Sequence, residues 1–302
     1  HLKDMLVELI GCTGAGKTTL LHHLQGAERL QGFEIATSYD FVLRRMGLDW
    51  VAPLAARKVL LHAIALAAGL AAWREKRAFY RAVAQALRRM PPGTSWRERL
   101  HLARLALRNI GVHAFIRRRI AGRDLVLADE GTLQIAHHLF VHVSGEPDRD
   151  GLAAFLRTVP LPDLAVLVDQ PEAILLERTQ RRGHQRIPGG SPELARLFIR
   201  RAGEVFAELG RHPRVRGRLL AAKGAEGGAQ ALRNYYSAAQ SLLLAGQGHA
   251  APQGALIAFV GAEATGKSTL VAETARWLGA AYPVRTVHAG KPPPTLVTGP
   301  IH

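Results

Sequence analysis

The run Gly11-Cys12-Thr13-Gly14-Ala15-Gly16-Lys17-Thr18 lies between the apolar stretch Met5 to Ile10 and the leucines Leu20, Leu21 and Leu24. Those flanks describe a strand, a tight turn and a helix start. The spacing G-x-x-x-x-G-K-[ST] belongs to loops whose backbone N–H groups and helix N-terminus cradle phosphates. On that reading Gly11, Gly14, Ala15, Gly16 and Thr19 line the phosphates, Lys17 reaches the β- and γ-oxygens, and Thr18 ligands Mg²⁺. ATP is the expected nucleotide, since no Asn-Lys-x-Asp guanine-recognition element is present. The pattern recurs as Gly261-Ala262-Glu263-Ala264-Thr265-Gly266-Lys267-Ser268, preceded by Ala255 to Val260 and followed by Thr269, Leu270 and Val271. There Gly261, Gly266, Lys267, Ser268 and Thr269 take the phosphate-facing positions, with Ser268 on the metal.

Further chemistry-bearing residues fall where strands should end. Leu125-Val126-Leu127-Ala128 precedes Asp129-Glu130-Gly131, an apolar strand delivering carboxylates to the sheet edge where Mg²⁺ and the γ-phosphate would lie. Asp129 is the expected metal-side carboxylate. Glu130 has three readings: orienting an attacking water, binding an acceptor, or projecting into solvent. Ser38-Tyr39-Asp40 follows the strand Phe33 to Thr37, and Asp40 is either the base that accepts an acceptor's hydroxyl proton or a helix cap. After the strand Leu164 to Val168, Asp169-Gln170-Pro171-Glu172 opens a helix carrying Arg178, Arg181 and Arg182. Arg178 and Arg182 are four apart and share a face, and the Gly- and Pro-rich segment 183–190 follows. Arginines there can close over a transferring phosphoryl group; a solvated basic helix end is the competing reading.

Composition bounds the rest. The chain has 302 residues, a formal net charge of +16 and one cysteine. That length has room for an α/β domain over 1–244, a linker at 245–254, and a segment 255–302 too short to cover a parallel sheet on both faces, read as the N-terminal fragment of a second domain. Because the chain begins at His1, sequence is expected to be missing at one or both ends. The basic charge favours polyanionic partners or an anionic surface. Nucleic acid is not the favoured partner, since few aromatics interleave with the arginines. A single cysteine excludes an internal disulfide framework and fits a cytoplasmic setting, with Cys12 filling space in the loop. Val59 to Trp73 is free of Asp, Glu, Lys and Arg, but at 1.5 Å per residue it reaches only about 22 Å against a hydrocarbon core of about 30 Å, so a buried helix rather than a membrane span is expected.

The elements that must position these residues follow from pattern. A helix is expected from the loop to about Leu30, a strand at Phe33 to Thr37, and a helix starting near Phe41. Ala55 to Met90 reads as helix broken near Gly69, with Val59, Leu60, Ala63, Ile64, Ala67, Leu70 and Ala71 on one side. Ser95-Trp96-Arg97-Glu98 is a capping box, and Gly111 is expected to close or kink that helix. Ser191-Pro192 opens a helix reaching about Gly210. Val215 to Ala222 reads as the last strand and Glu226 to Leu244 as the closing helix.

Phosphate loop, long helical insertion, strand ending in Asp129-Glu130-Gly131, strand ending in Asp169, then Arg178-x-x-x-Arg182-Gly183: this order resembles the thymidylate-kinase-like and deoxynucleoside-kinase-like branch of P-loop kinases. The resemblance implies a P-loop NTPase three-layer sandwich with a parallel sheet, and a lid over ATP formed by Arg178, Arg182 and Arg186. The segment Phe259 to Thr269 looks like the start of a second such domain. Kinases of this group often carry Asp-Arg where this chain has Asp129-Glu130, so an arginine near the acceptor phosphate is absent there. That leaves a nucleotide, nucleoside, sugar or lipid hydroxyl open as the small-molecule acceptor. The implied activity is transfer of the γ-phosphoryl of ATP. A P-loop ATPase switch, with Glu130 activating water, is the rival reading, and a polynucleotide kinase is a third.

Overall fold

The computed structural model describes residues 4–25, 29–30, 33–122, 124–182, 187, 190–224, 227, 229–232, 234, 267–278, 284 and 286, the side chains of 29, 30, 33, 182, 267 and 268 excepted. Contacts divide the chain into two units, His1–Ala251 and Pro252–His302.

In the first unit, β1 (Met5–Ile10), β4 (Asp124–Ala128) and β5 (Leu164–Asp169) are apolar nearly throughout, as strands covered on both faces must be. With β3 (Phe33–Thr37) and β6 (Leu219–Lys223) they form a parallel sheet in the order β3-β4-β1-β5-β6, and β2 (Arg29–Leu30) adds antiparallel to β3 at the edge. In register, Val7 of β1 lies opposite Leu127 on one side and Leu164 on the other. β1 is therefore the central strand. The chain runs outward from it to β3, returns to β4, then passes to its far side, so the carboxyl end of β1 lies where the strand order reverses and a crevice forms. The fold is α/β, with helices on both faces and a large helical insertion between β3 and β4.

Alternation along β4 divides the core. Leu125 and Leu127 join one cluster, with α1 (Lys17–Gln25), α4 (Arg77–Arg88), α6 (Ile135–Phe140), α7 (Arg149–Thr158), α8 (Glu172–Arg182) and α9 (Pro192–Arg211). Val126 and Ala128 join the other, with α2 (Ser38–Arg45), α3 (Leu54–Ala71) and the later part of α5 (Trp96–Arg119), whose Leu102, Ala106 and Ile110 belong to the first. Cap chemistry holds several helix starts. Thr37, Ser95, Asp148 and Ser191 each accept a hydrogen bond from a backbone N–H of the first turn.

Several expectations are corrected. The first helix ends at Gln25, and 29–30 is strand rather than helix. α2 begins at Ser38, capped by Thr37, not near Phe41. The break in the insertion falls after Ala71 rather than at Gly69, whose backbone carbonyl accepts from the Tyr80 hydroxyl at 2.9 Å. Gly111 does not close α5, which continues past it and spans 24 residues. It is a contact point instead: a β-carbon there would sit 1.8 Å from the Ala65 carbonyl oxygen of α3. α3 itself is not the buried helix expected. Only Leu61, Ala65 and Gly69 are buried, and by length and composition its 18 residues suffice to cross a membrane. Val215 lies in the short α10 (Pro213–Arg216), so β6 starts at Leu219. The expected helix 226–244 lies mostly outside the described residues.

In the second unit a helix, α11 (Lys267–Leu278), starts at the lysine of the repeated pattern, as α1 starts at Lys17. Residues 255–266, with Gly261 and Gly266, lie outside the described residues.

The α3–α5 contact yields a stability test. Gly111→Ala is expected to cost about 1–3 kcal/mol in urea unfolding, because the methyl meets backbone that cannot step aside. Gly203→Ala in α9, where nothing lies within 4 Å, should be neutral or gain up to about 1 kcal/mol.

Candidate active site

The chain leaves β1 at Gly11 in close contact with β5: a β-carbon at Gly11 would lie 2.5 Å from the Val168 carbonyl oxygen. No other residue fits that exit unshifted. Ala15 N–H donates to the Cys12 carbonyl at 3.1 Å to form the turn, and Gly14 and Gly16 have positive φ, so the loop folds before α1 begins. The Lys17 ammonium lies over this loop and donates to the carbonyls of Gly11 at 3.0 Å and Cys12 at 3.2 Å. Burial pushes the Cys12 thiol up to about 11, so it stays a neutral, space-filling side chain.

β4 delivers Asp129 to the same edge. Thr18 Oγ1 donates to Asp129 Oδ2 at 3.1 Å, joining the first turn of α1 to the end of β4. Burial raises the Asp129 pKa, against the lowering influence of Lys17 and the Thr18 hydroxyl. Its second oxygen, Oδ1, is buried and has no hydrogen-bond partner among the described residues. An orphaned carboxylate oxygen beside a threonine hydroxyl fits a hard divalent cation, since Mg²⁺ takes one or two protein oxygens and completes its shell with phosphate and water.

From the β5 side, α8 sends Arg178 to the loop, where Nη1 donates to the Gly14 carbonyl at 2.9 Å. The side chain of Arg182 and residues 183–186 lie outside the described residues. Of the proposed arginine pair, the structure therefore places Arg178 at the loop.

Beside Asp129, the Glu130 carboxylate is held by Arg108 Nη2 of α5 at 3.1 Å. Arg108 Nε in turn donates to Asn109 Oδ1, and Asn109 Nδ2 donates to the Gly131 carbonyl at 3.0 Å. The Arg108 guanidinium lies 6.0 Å from the Tyr39 ring centroid. Tyr39, Arg108 and Glu130 thus form one polar group beside the strand ends. Asp40 is engaged differently. Its backbone N–H donates to Thr37 Oγ1, the Thr37 hydroxyl donates back to Oδ2 at 2.7 Å, and Arg57 of α3 donates to Oδ1 at 2.7 Å. This is cap geometry with an ion pair added.

Two residues that sequence reasoning passed over tie the site together. Glu8, inside the run read as apolar, is buried in the middle of β1 and accepts from Gln134 N–H at 2.8 Å. The Gln134 side chain accepts from Gly11 N–H and donates to the Gly11 carbonyl, each at 3.1 Å. The visible signal was the acidic residue within Met5 to Ile10. Arg108 offered none, being one of many arginines on helices.

No protein-family model matches the sequence, and no curated protein does. Among solved structures, the chain is similar to a thymidylate kinase from Candida albicans at 11% identity, over 79% of this chain and 93% of that one, with a TM-score of 0.43. It is also similar to a deoxyadenosine kinase from M. mycoides with bound dCTP at 13% identity, over 78% of this chain and all of that one, with a TM-score of 0.39. The α/β assignment rests on the sheet order and loop geometry of the chain itself.

Burial raises the Glu8 pKa from the ordinary 4.5 to about 7. The folded protein therefore keeps a proton that the unfolded chain releases between those values. The stability this supplies is complete below pH 4.5 and is lost as pH rises through about 7. Relative to Glu8→Gln, which cannot ionise, the wild type should weaken by on the order of 3 kcal/mol across that window. Denaturant midpoints of both proteins at several pH values check this; parallel pH profiles would refute it.

Proposed function

We propose that the first unit is an ATP-dependent phosphotransferase that moves the γ-phosphoryl group of ATP to a hydroxyl-bearing small molecule. The observation that carries this reading is the meeting of Thr18 and Asp129 at the mouth of the phosphate loop, with an unpartnered Asp129 oxygen beside them. Backbone N–H groups of the loop and Lys17 would hold the β- and γ-phosphate oxygens. Thr18 and Asp129 would hold Mg²⁺, which supplies charge neutralisation of the transferring group when bound. Arg178, already on the loop, would offset charge on the phosphates as the segment after α8 closes, together with Arg182. Phosphoryl transfer asks mostly for positioning and electrostatics, so few further groups are required.

Tyr39, Arg108 and Glu130 would face the acceptor. Held by a guanidinium, Glu130 is suited to accepting a hydrogen bond from an acceptor hydroxyl and orienting it. That engagement favours an acceptor over free water as the nucleophile. Asp40, committed to Thr37 and Arg57, would position α2 against α3 rather than take a proton. The second pattern, Gly261 to Ser268 with Thr269, would form another phosphate loop ahead of α11, with Lys267 and Ser268 in the roles of Lys17 and Thr18.

The test supplies γ-labelled ATP with a panel of nucleosides, nucleotides, sugars and lipid alcohols. Label should pass to one acceptor class, and Lys17→Ala should lower the rate at least about a hundredfold. Arg178→Ala should lower kcat by roughly ten- to a hundredfold while the chain still folds. Release of free phosphate regardless of acceptor, abolished by Glu130→Gln, would replace the kinase with a P-loop ATPase switch.

A further inference from the structure

α3 packs on α5 through one buried stripe, with Ile64 and Ala68 half-buried beside it, and leaves its outer side uncovered. Leu61, Ala65 and Gly69 form the stripe, seated where Gly111 lets the two backbones approach. Across its 18 residues the mean hydropathy is 1.6, yet only 17% of them are buried. Val59, Leu66 and Leu70 are exposed along the outer side, with Trp50 and Leu54 at its start and Trp73 just beyond its end. Trp50, at 76% exposure, also walls an open apolar hollow with Pro53, Ala56 and Val59. A folded chain seldom leaves so continuous an apolar surface without a use for it.

The charge on the helix itself has one sign; the exposed Asp49 precedes Trp50, outside it. α3 contains no acidic residue, while Lys58 lies on its exposed side and Arg74 follows Trp73, both exposed. The nearest acid at that end, Glu75, is already engaged by Lys76 and Arg118. The chain as a whole carries +16. Apolar side chains bordered by cations, with tryptophan at both ends of an element about 27 Å long, are the composition of a helix lying flat in a lipid headgroup layer.

We propose that the outer face of α3 is a docking surface for an anionic lipid bilayer, onto which the protein binds with α3 parallel to the membrane plane. A spanning arrangement does not suit this helix, because the stripe against α5 belongs to the folded core. A second copy of the chain suits it less well than lipid. Two-fold packing of antiparallel α3 helices centred on Leu66 would set Lys58 of one copy against Arg74 of the other, with no acid on the helix to separate them. Anionic headgroups complement both cations, and the cytoplasmic leaflet of membranes carries such lipids. The proposal does not depend on phosphoryl transfer, since docking requires no nucleotide.

The experiment is co-sedimentation of the full chain with vesicles of equal parts phosphatidylglycerol and phosphatidylcholine, and with vesicles of phosphatidylcholine alone. Binding to the anionic vesicles should be about tenfold tighter and should weaken with salt. Tryptophan emission should shift to the blue on binding. Leu66→Glu with Leu70→Glu should abolish binding, and Lys58→Glu with Arg74→Glu should remove the preference for anionic lipid. All four positions are exposed, so unchanged melting curves will confirm that the variants fold; the charge variant tests the proposal independently should the leucine variant not fold. Absence of vesicle binding overturns the proposal, and so does equal binding to both vesicle types. A dimer seen by light scattering that Leu66→Glu with Leu70→Glu returns to monomer would assign the face to a second copy, and binding that survives both variant pairs would move it elsewhere.

Discussion

The side-chain amide of Gln134 closes both backbone groups of Gly11, and the Gln134 backbone N–H donates to the buried Glu8 carboxyl. Gly11 is where β1 ends and the glycine-rich loop begins. Parallel pairing between β1 and β4 has stopped by this point, so without Gln134 the loop's first N–H and carbonyl would lack these ladder partners. The amide substitutes for a strand and ties the loop to the segment that follows Asp129. The distance between Thr18 and Asp129 therefore depends on a polar contact inside the core as well as on sheet register. Its cost is a carboxyl group buried in the central strand, held close to neutrality by its surroundings.

Around that clamp the site is assembled from three strand ends. β1 supplies the loop and Lys17, β4 supplies Asp129 and Glu130, and α8 after β5 supplies Arg178. The insertion between β3 and β4 adds Arg108 from α5. A sheet that carries a reversal of strand order beside β1 opens a crevice there, and polar groups from separate parts of the chain meet at one edge. The same insertion places α3 on the outside of the second core cluster, covered on its inner stripe and open on the rest. The exposed leucines of α3 are not among the side chains gathered at that sheet edge, so each set can be perturbed without the other.

Sequence reasoning reached the glycine-rich turn, the strands expected at 33–37, 125–128 and 164–168, and the position of Asp129 at a strand end, because each has a local signature: fixed glycine spacing, or an apolar run ending in an acid. It missed what depends on partners distant in the chain. Glu8 and Gln134 are 126 residues apart, and neither has a pattern that announces the other. Gly111 was read as a stop by its type, whereas its use is to admit the Ala65 carbonyl of another helix. On α3 alanines and leucines occur all round, so periodicity could not select the inner stripe, and the side picked out by spacing includes Val59 and Leu70, which are exposed. Arg108 became visible only when α5 was seen to pass the end of β4.

The most direct measurement is calorimetric titration of ATP into the wild type and Asp129→Asn, each with and without Mg²⁺. If Thr18 and Asp129 hold the metal beside the phosphate loop, Mg²⁺ will tighten ATP binding to the wild type about tenfold or more, and the substitution will erase that gain while leaving metal-free binding nearly intact. Equal ATP affinity with and without Mg²⁺ in the wild type, or an undiminished Mg²⁺ effect in Asp129→Asn, would contradict the assignment.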